Sequence, residues 1–86
     1  MPEVSRFFGI VIAIYYNDHE PAHFHARYAD AEARIDMVTG KALSGRIPPR
    51  AMRLVEEWSA LHRRELLEDW RRAQMREPLQ RIDPLE

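Results

Sequence analysis

Cysteine is absent from this 86-residue chain, so neither a disulfide framework nor a thiolate metal site is available, a composition that suits a reducing compartment. Lysine is nearly absent as well. Of 13 basic residues only Lys41 is lysine, so arginine, which forks onto carboxylate and phosphate, supplies the positive charge. There is no excess of either sign: the formal net charge is −1. A strong basic field of the kind that carries duplex binding is therefore missing, and nucleic acid is disfavoured as a partner. Long hydrophobic runs are missing too. The longest, Phe7–Tyr16, is too short to span a bilayer and has no basic segment before it, so no membrane association and a cytoplasmic location are expected. The chain contains no internal repeat, no low-complexity segment, no glycine-rich phosphate loop and no nucleophile with an adjacent base.

What is present fits one domain spanning 1–86, near the lower size at which a single core suffices. Met1–Arg6 reads as a polar lead-in. Phe7–Tyr16 is aromatic, β-branched or small, which predicts a strand. Its apolar residues fall at both odd and even positions, which predicts burial on both faces. Asn17–Pro21 reads as a turn. His23–Ala29 and Glu32–Met37 alternate as two further strands, and a hairpin at Ala29-Asp30 pairs Phe24 with Ile35 and Ala26 with Ala33. The same register sets His23 opposite Asp36, His25 opposite Arg34 and Arg27 opposite Glu32. Thr39-Gly40 turns the chain into a short strand near Lys41–Ser44. From Pro49 to about residue 75 the apolar residues keep helical period, as one long amphipathic helix or two with a break near His62. An extended tail, 78–86, carries Leu79, Ile82 and Leu85. The expected fold is α+β: a three- or four-stranded, mainly antiparallel sheet over about 7–45, backed by one long C-terminal helix over about 49–75.

Three of the four histidines lie within the seven residues 19–25. On a strand His23, His25 and Arg27 share a face, and His19 can swing in from the turn. Three imidazoles with Asp36 across the strand suit a divalent transition metal such as zinc, so His19, His23, His25 and Asp36 are candidate ligands. Without metal, His23, His25 and Arg27 are candidates for proton transfer beside a cationic clamp, as a small nuclease or hydrolase would need. The competing reading is structural, with imidazoles hydrogen-bonding a tight loop to its neighbours. Arg46, Arg50 and Arg53 form the one local basic patch, at a helix start, and are candidate contacts for an anion or a nucleic-acid backbone. Trp58, Trp70 and His62 lie on the apolar arc of the helix and read as core.

One set of residues runs through nearly the whole chain: Ser5-Arg6-Phe7-Phe8-Gly9-Ile10, Asn17-Asp18-His19, Pro21, His23-Phe24-His25-Ala26, Ile35-Asp36 and Thr39-Gly40. It continues in Trp58, Leu61-His62, Glu65-Leu66, Trp70 and Ile82-Asp83-Pro84-Leu85. In these residues the chain resembles the bacterial domain of unknown function 4160 family. The resemblance implies no activity and no catalytic residue, since the family has none established. Members of the family look like one half of small two-gene cassettes, which implies a component of a toxin–antitoxin-like pair with a small protein partner encoded nearby. The two-sided apolar strand Phe7–Tyr16 makes partner binding or self-association, such as a dimer, the leading expectation.

Overall fold

The computed structural model describes residues 2–86; of the lead-in Met1–Arg6, Met1 lies outside the described residues. Five strands, β1 (Glu3–Phe7), β2 (Ile10–Ala13), β3 (His23–Tyr28), β4 (Ala31–Asp36) and β5 (Ala42–Arg46), form one antiparallel meander in chain order. Two helices follow, α1 (Pro49–Leu61) and α2 (Arg63–Gln74). The class is α+β with an antiparallel sheet, but with five strands and two helices where three or four and one were expected.

The extra strand comes from the amino-terminal segment. Phe7–Tyr16 is not one strand: the chain reverses at Phe8-Gly9, and the polar residues before it form β1. Phe8 at φ 50° and Gly9 at φ 80° both lie in the left-handed region, the pair of positive angles that a two-residue type I′ hairpin turn demands. Periodicity hides this turn, because Phe8 is apolar where such a turn ordinarily carries Asn or Asp. A bulge between Glu3 and Ser5 then lets the consecutive residues Val4 and Ser5 both be buried.

The turn also disposes of the apolar second face. Phe7 lies on the core side, its ring 5.3 Å from that of Trp58. Ile10, Ile12 and Ile14 join Phe24, Ala26, Ala33, Ile35 and Met37 beneath the helices. The far face of β2 keeps only Val11 and Ala13, beside Tyr15, His25, Arg27 and Glu32. Among the described residues no two-sided apolar strand is left over for a partner.

β3 and β4 pair in the register that alternation requires, Phe24 with Ile35 and Ala26 with Ala33, since a slip of one residue would turn both apolar sets to solvent. Between β4 and β5 the two chains come very close. A side chain on Gly45 would sit 2.3 Å from the Glu32 carbonyl oxygen, and its φ of 74° suits glycine.

The helical segment bends at His62 (φ −121°, ψ 26°), which caps both helices. A straight helix over residues 50–75 would run about 39 Å, beyond the 33 Å longest dimension of the domain. The bend lets Ala51, Val55 and Trp58 from α1, and Leu66, Trp70 and Ala73 from α2, cover the same sheet. His62 is half-buried at the corner, and its Nδ1 lies 2.5 Å from Glu65 Oε1. Residues 77–86 form no helix or strand and are tied back to the domain. The Trp58 indole donates to the Asp83 carbonyl at 2.8 Å and the Ile82 amide to the Val4 carbonyl at 2.8 Å. Buried Asp69 accepts from the Gln80 amide at 2.9 Å and from Arg72 at 2.8 Å.

Candidate functional site

β3 carries different chemistry at its two ends. At its start, the loop of residues 14–22 folds over the sheet and is tied to α2. Gln74 donates to the Asp18 carbonyl (3.3 Å), Arg76 to the Asn17 side chain (3.3 Å) and the Trp70 indole to Glu20 (3.4 Å). The Met37 amide donates to the Ala22 carbonyl at 3.0 Å. These bonds bring Asp18 over the histidines of β3.

His23 is 2% exposed, its ring 5.3 Å from that of Trp70. Its Nδ1 lies 2.8 Å from the Pro21 carbonyl oxygen; a carbonyl only accepts, so Nδ1 carries the proton. His23 Nε2 then faces Asp18 Oδ2 at 3.1 Å. His25 Nδ1 lies 2.9 Å from Glu32 Oε2, and its Nε2 lies 3.0 Å from the same Asp18 Oδ2. Tyr15 meets the His25 ring edge-on at 4.5 Å. Two imidazole nitrogens thus converge on one carboxylate oxygen, and each ring is held from behind by an acceptor.

Only part of the expected ligand set meets here. His23 and His25 do, but His19 is exposed and lies outside the group, whose third member is Asp18. Asp36 stands opposite His23 in the ladder, yet its Oδ1 accepts from the Val38 (2.7 Å) and Thr39 (2.9 Å) amides and caps the turn after β4. A short side chain occupied by two amides is held at the turn. Asp18 escapes a sequence reading because it sits in a turn-like cluster with no period. Glu32 was legible: the register that opposes His25 to Arg34 makes Glu32 its diagonal neighbour, within reach of a long side chain. Arg27 shares the face of His23 and His25 and is exposed.

At the end of β3, Tyr28 stands beside the β1–β2 turn, and a methyl group on Gly9 would lie 3.3 Å from its ring. Phe8, Ile10 and Tyr28 form with Pro48, Arg50, Ala51 and Leu54 an open groove of about 390 Å³. Phe8 is 59% exposed and Tyr28 36%. The groove meets the first turn of α1, which has no side-chain cap and no acidic residue. Of the basic patch, Arg50 lines this groove, Arg53 lies one turn along α1, and Arg46 ends β5 opposite Glu32. Among the described residues none of the three has a carboxylate within salt-bridge distance. The groove is the feature that sequence reasoning missed, because it depends on the unrecognised turn at Phe8-Gly9.

No helix among the described residues is long and apolar enough to cross a membrane. No curated protein and no solved structure matches the chain significantly. The model of one family, Domain of unknown function (DUF4160), matches residues 9–71, a span that holds both ends of β3, the Phe8-abutting Gly9 and most of the two helices, and the chain belongs to that family.

Proposed function

We propose that this domain is a protein-binding module, one component of a toxin–antitoxin-like pair, and that it takes its partner in the groove at the end of β3. The observation that carries the reading is Phe8. A bulky residue in the left-handed region costs about 1–2 kcal/mol, and the phenyl ring, 59% exposed with an edge-on contact to Phe7 at 6.5 Å, offsets only part of it in the isolated domain. Such a residue persists where something else uses the ring. Phenylalanine, tyrosine and arginine are also residue types enriched at protein interfaces, and Phe8, Tyr28 and Arg50 surround one groove.

The groove specifies the chemistry of its occupant. An apolar floor beside an arginine with no counter-charge and an uncapped helix start favours a segment that presents an apolar side chain next to a carboxylate. An acidic amphipathic stretch of a small partner protein answers that description. Nucleic acid answers it poorly, since one arginine beside aromatic rings is a small electrostatic footprint on a chain of net charge −1.

Co-expression with the protein encoded by the neighbouring gene, followed by size-exclusion chromatography with light scattering, tests the reading. A stable complex is expected, and Phe8→Ala is expected to weaken it by about 2 kcal/mol, roughly thirtyfold, as for an interface anchor. A strictly monomeric domain with no complex, or a complex indifferent to Phe8 and Arg50, would defeat it. The enzyme reading, a metal- or histidine-dependent nuclease or small hydrolase, draws on the converging imidazoles. It has less support, because the depression against His25 has essentially no interior volume (about 0 Å³).

A further inference from the structure

We infer that Asp18, His23 and His25 form a binding site for one divalent transition-metal ion, with zinc the best fit, independently of what the groove at the other end of β3 holds. The argument begins with protons. The Pro21 carbonyl fixes the proton of His23 on Nδ1, so neutral His23 points an Nε2 lone pair at the Asp18 carboxylate. His25 has carboxylate oxygens on both ring nitrogens, and one neutral imidazole proton serves only one of them. With Nδ1–H donated to Glu32, the His25 Nε2 lone pair also faces Asp18 Oδ2. Neutral rings thus leave two lone pairs and an anionic oxygen directed at each other across 3.0–3.1 Å.

Protonation relieves this in part: with His25 in its Nε2–H form one imidazolium at buried His23 answers Asp18 but leaves a lone pair facing Glu32, and answering both carboxylates takes two imidazoliums with centroids 5.3 Å apart. Alternatively, one cation can sit among the three atoms. The spacing suits the single cation. Nitrogen and oxygen ligands about 2.0–2.1 Å from a common zinc are about 2.9–3.4 Å from each other at octahedral to tetrahedral angles, and the Asp18–histidine separations fall in that interval. The surroundings match as well. Metal-bound histidines commonly donate their other N–H to a carbonyl or a carboxylate, which sets the tautomer and the ring plane. His23 has the Pro21 carbonyl in that place and His25 has Glu32.

Two imidazoles and a carboxylate, with no thiolate available, select zinc or a neighbouring first-row ion over calcium or magnesium. Three protein ligands leave a coordination position for water. The ion would join the loop that carries Asp18 to the strand that carries both histidines, so its first consequence is to hold that loop closed.

The test uses protein without a polyhistidine tag. After chelator treatment and desalting, zinc is titrated by calorimetry and cobalt(II) by visible absorption. One equivalent is expected, with cobalt bands of a low-symmetry site and a raised melting temperature in zinc. Asp18→Asn and His25→Ala should lower affinity by more than a hundredfold. Glu32→Ala should lower it by about 10–100-fold, as removal of a partner behind a ligand does. His19→Ala should change it by less than twofold. Asp18 is partly exposed, so circular dichroism of Asp18→Asn in chelator separates lost ligation from lost folding. No binding at 100 µM metal would overturn the proposal. So would affinity that survives Asp18→Asn and His25→Ala in folded protein, or that depends on His19. NMR showing both rings doubly protonated in excess zinc would assign the cluster to an ion-paired network instead.

Discussion

The two ends of β3 differ in how completely their side chains are used. At its start, His23 and His25 are shielded, every ring nitrogen has a polar neighbour, and the covering loop is tied by three side chains, two from α2 and Arg76 just beyond it. At its end, Tyr28 and Phe8 are solvated aromatics over an open groove, and Arg50 has no carboxylate partner among the described residues. The closed polar cluster brings ligand-type atoms within 4.8 Å of one another, whereas the open apolar groove leaves aromatic surface exposed. The ion proposed for one end and the partner proposed for the other are thus separated along one six-residue strand, and substitutions at its two ends should have different effects.

The largest expected effect is at the closed end. Trp70 is 6% exposed, packs on His23 and donates to Glu20. Trp70→Ala should cost about 3–5 kcal/mol in urea unfolding, as truncation of a buried aromatic does. Phe8→Ala at the open end should leave stability within about 0.5 kcal/mol while weakening partner binding roughly thirtyfold. If the two variants were equally destabilising, the contrast would not hold.

Gly9→Ala comes next. It forces a side chain onto φ 80° and against the Tyr28 ring, and should cost about 1–2 kcal/mol. Phe8→Asn should have the opposite sign, because asparagine suits the first central position of this turn. A gain of several tenths to about 1 kcal/mol in thermal or chemical unfolding is expected, together with loss of the partner. A domain made more stable and less able to bind would locate the cost of the aromatic in its function. Unchanged stability would mean that Phe8 is unstrained at this turn.

The smallest effect concerns acid. Glu3 pairs with Ala13, which pairs with His25, so it belongs to the closed end. The hydrogen bond from Arg6, with lesser help from Arg81, lowers its pKa from 4.5 to about 2. Its contribution is therefore complete above pH 4.5 and is lost as the pH falls through about 2. Glu3→Gln should narrow the stability difference between pH 5 and pH 2 slightly and leave the groove's binding at neutral pH unchanged. An effect at pH 7 no larger than at pH 2 would contradict the assignment.

Much of this architecture was legible before any tertiary structure. Alternation through His23–Tyr28 and Ala31–Asp36 leaves one register that keeps Phe24, Ala26, Ala33 and Ile35 on a single face, and that register is the one adopted. Helical period marks Val55, Trp58, Leu66, Trp70 and Ala73 as the buried stripe of the helical segment. It leaves open one helix or two with a break near His62, because nothing local there forbids helix; the two helices meet at His62, and the dimensions of the domain decide between them. The hairpin at Phe8-Gly9 was hidden for the reverse reason. Its first residue contradicts local turn chemistry, and periodicity reads a phenylalanine as strand.

Local physics therefore determined the strands from β3 onward, the apolar face of the helices, the alignment of His23, His25 and Arg27, and the absence of thiol chemistry. The fold alone decided which carboxylate meets the histidines. His19 and Asp18 are neighbours in a turn, and only the docking of that turn on α2 selects Asp18. Asp36, with the right register, is drawn away by two amides closer to it in the chain. Proximity along a strand can be read from alternation, because the side-chain period is fixed. Convergence of a loop on a strand cannot, because it follows from long-range packing that leaves no period in the sequence.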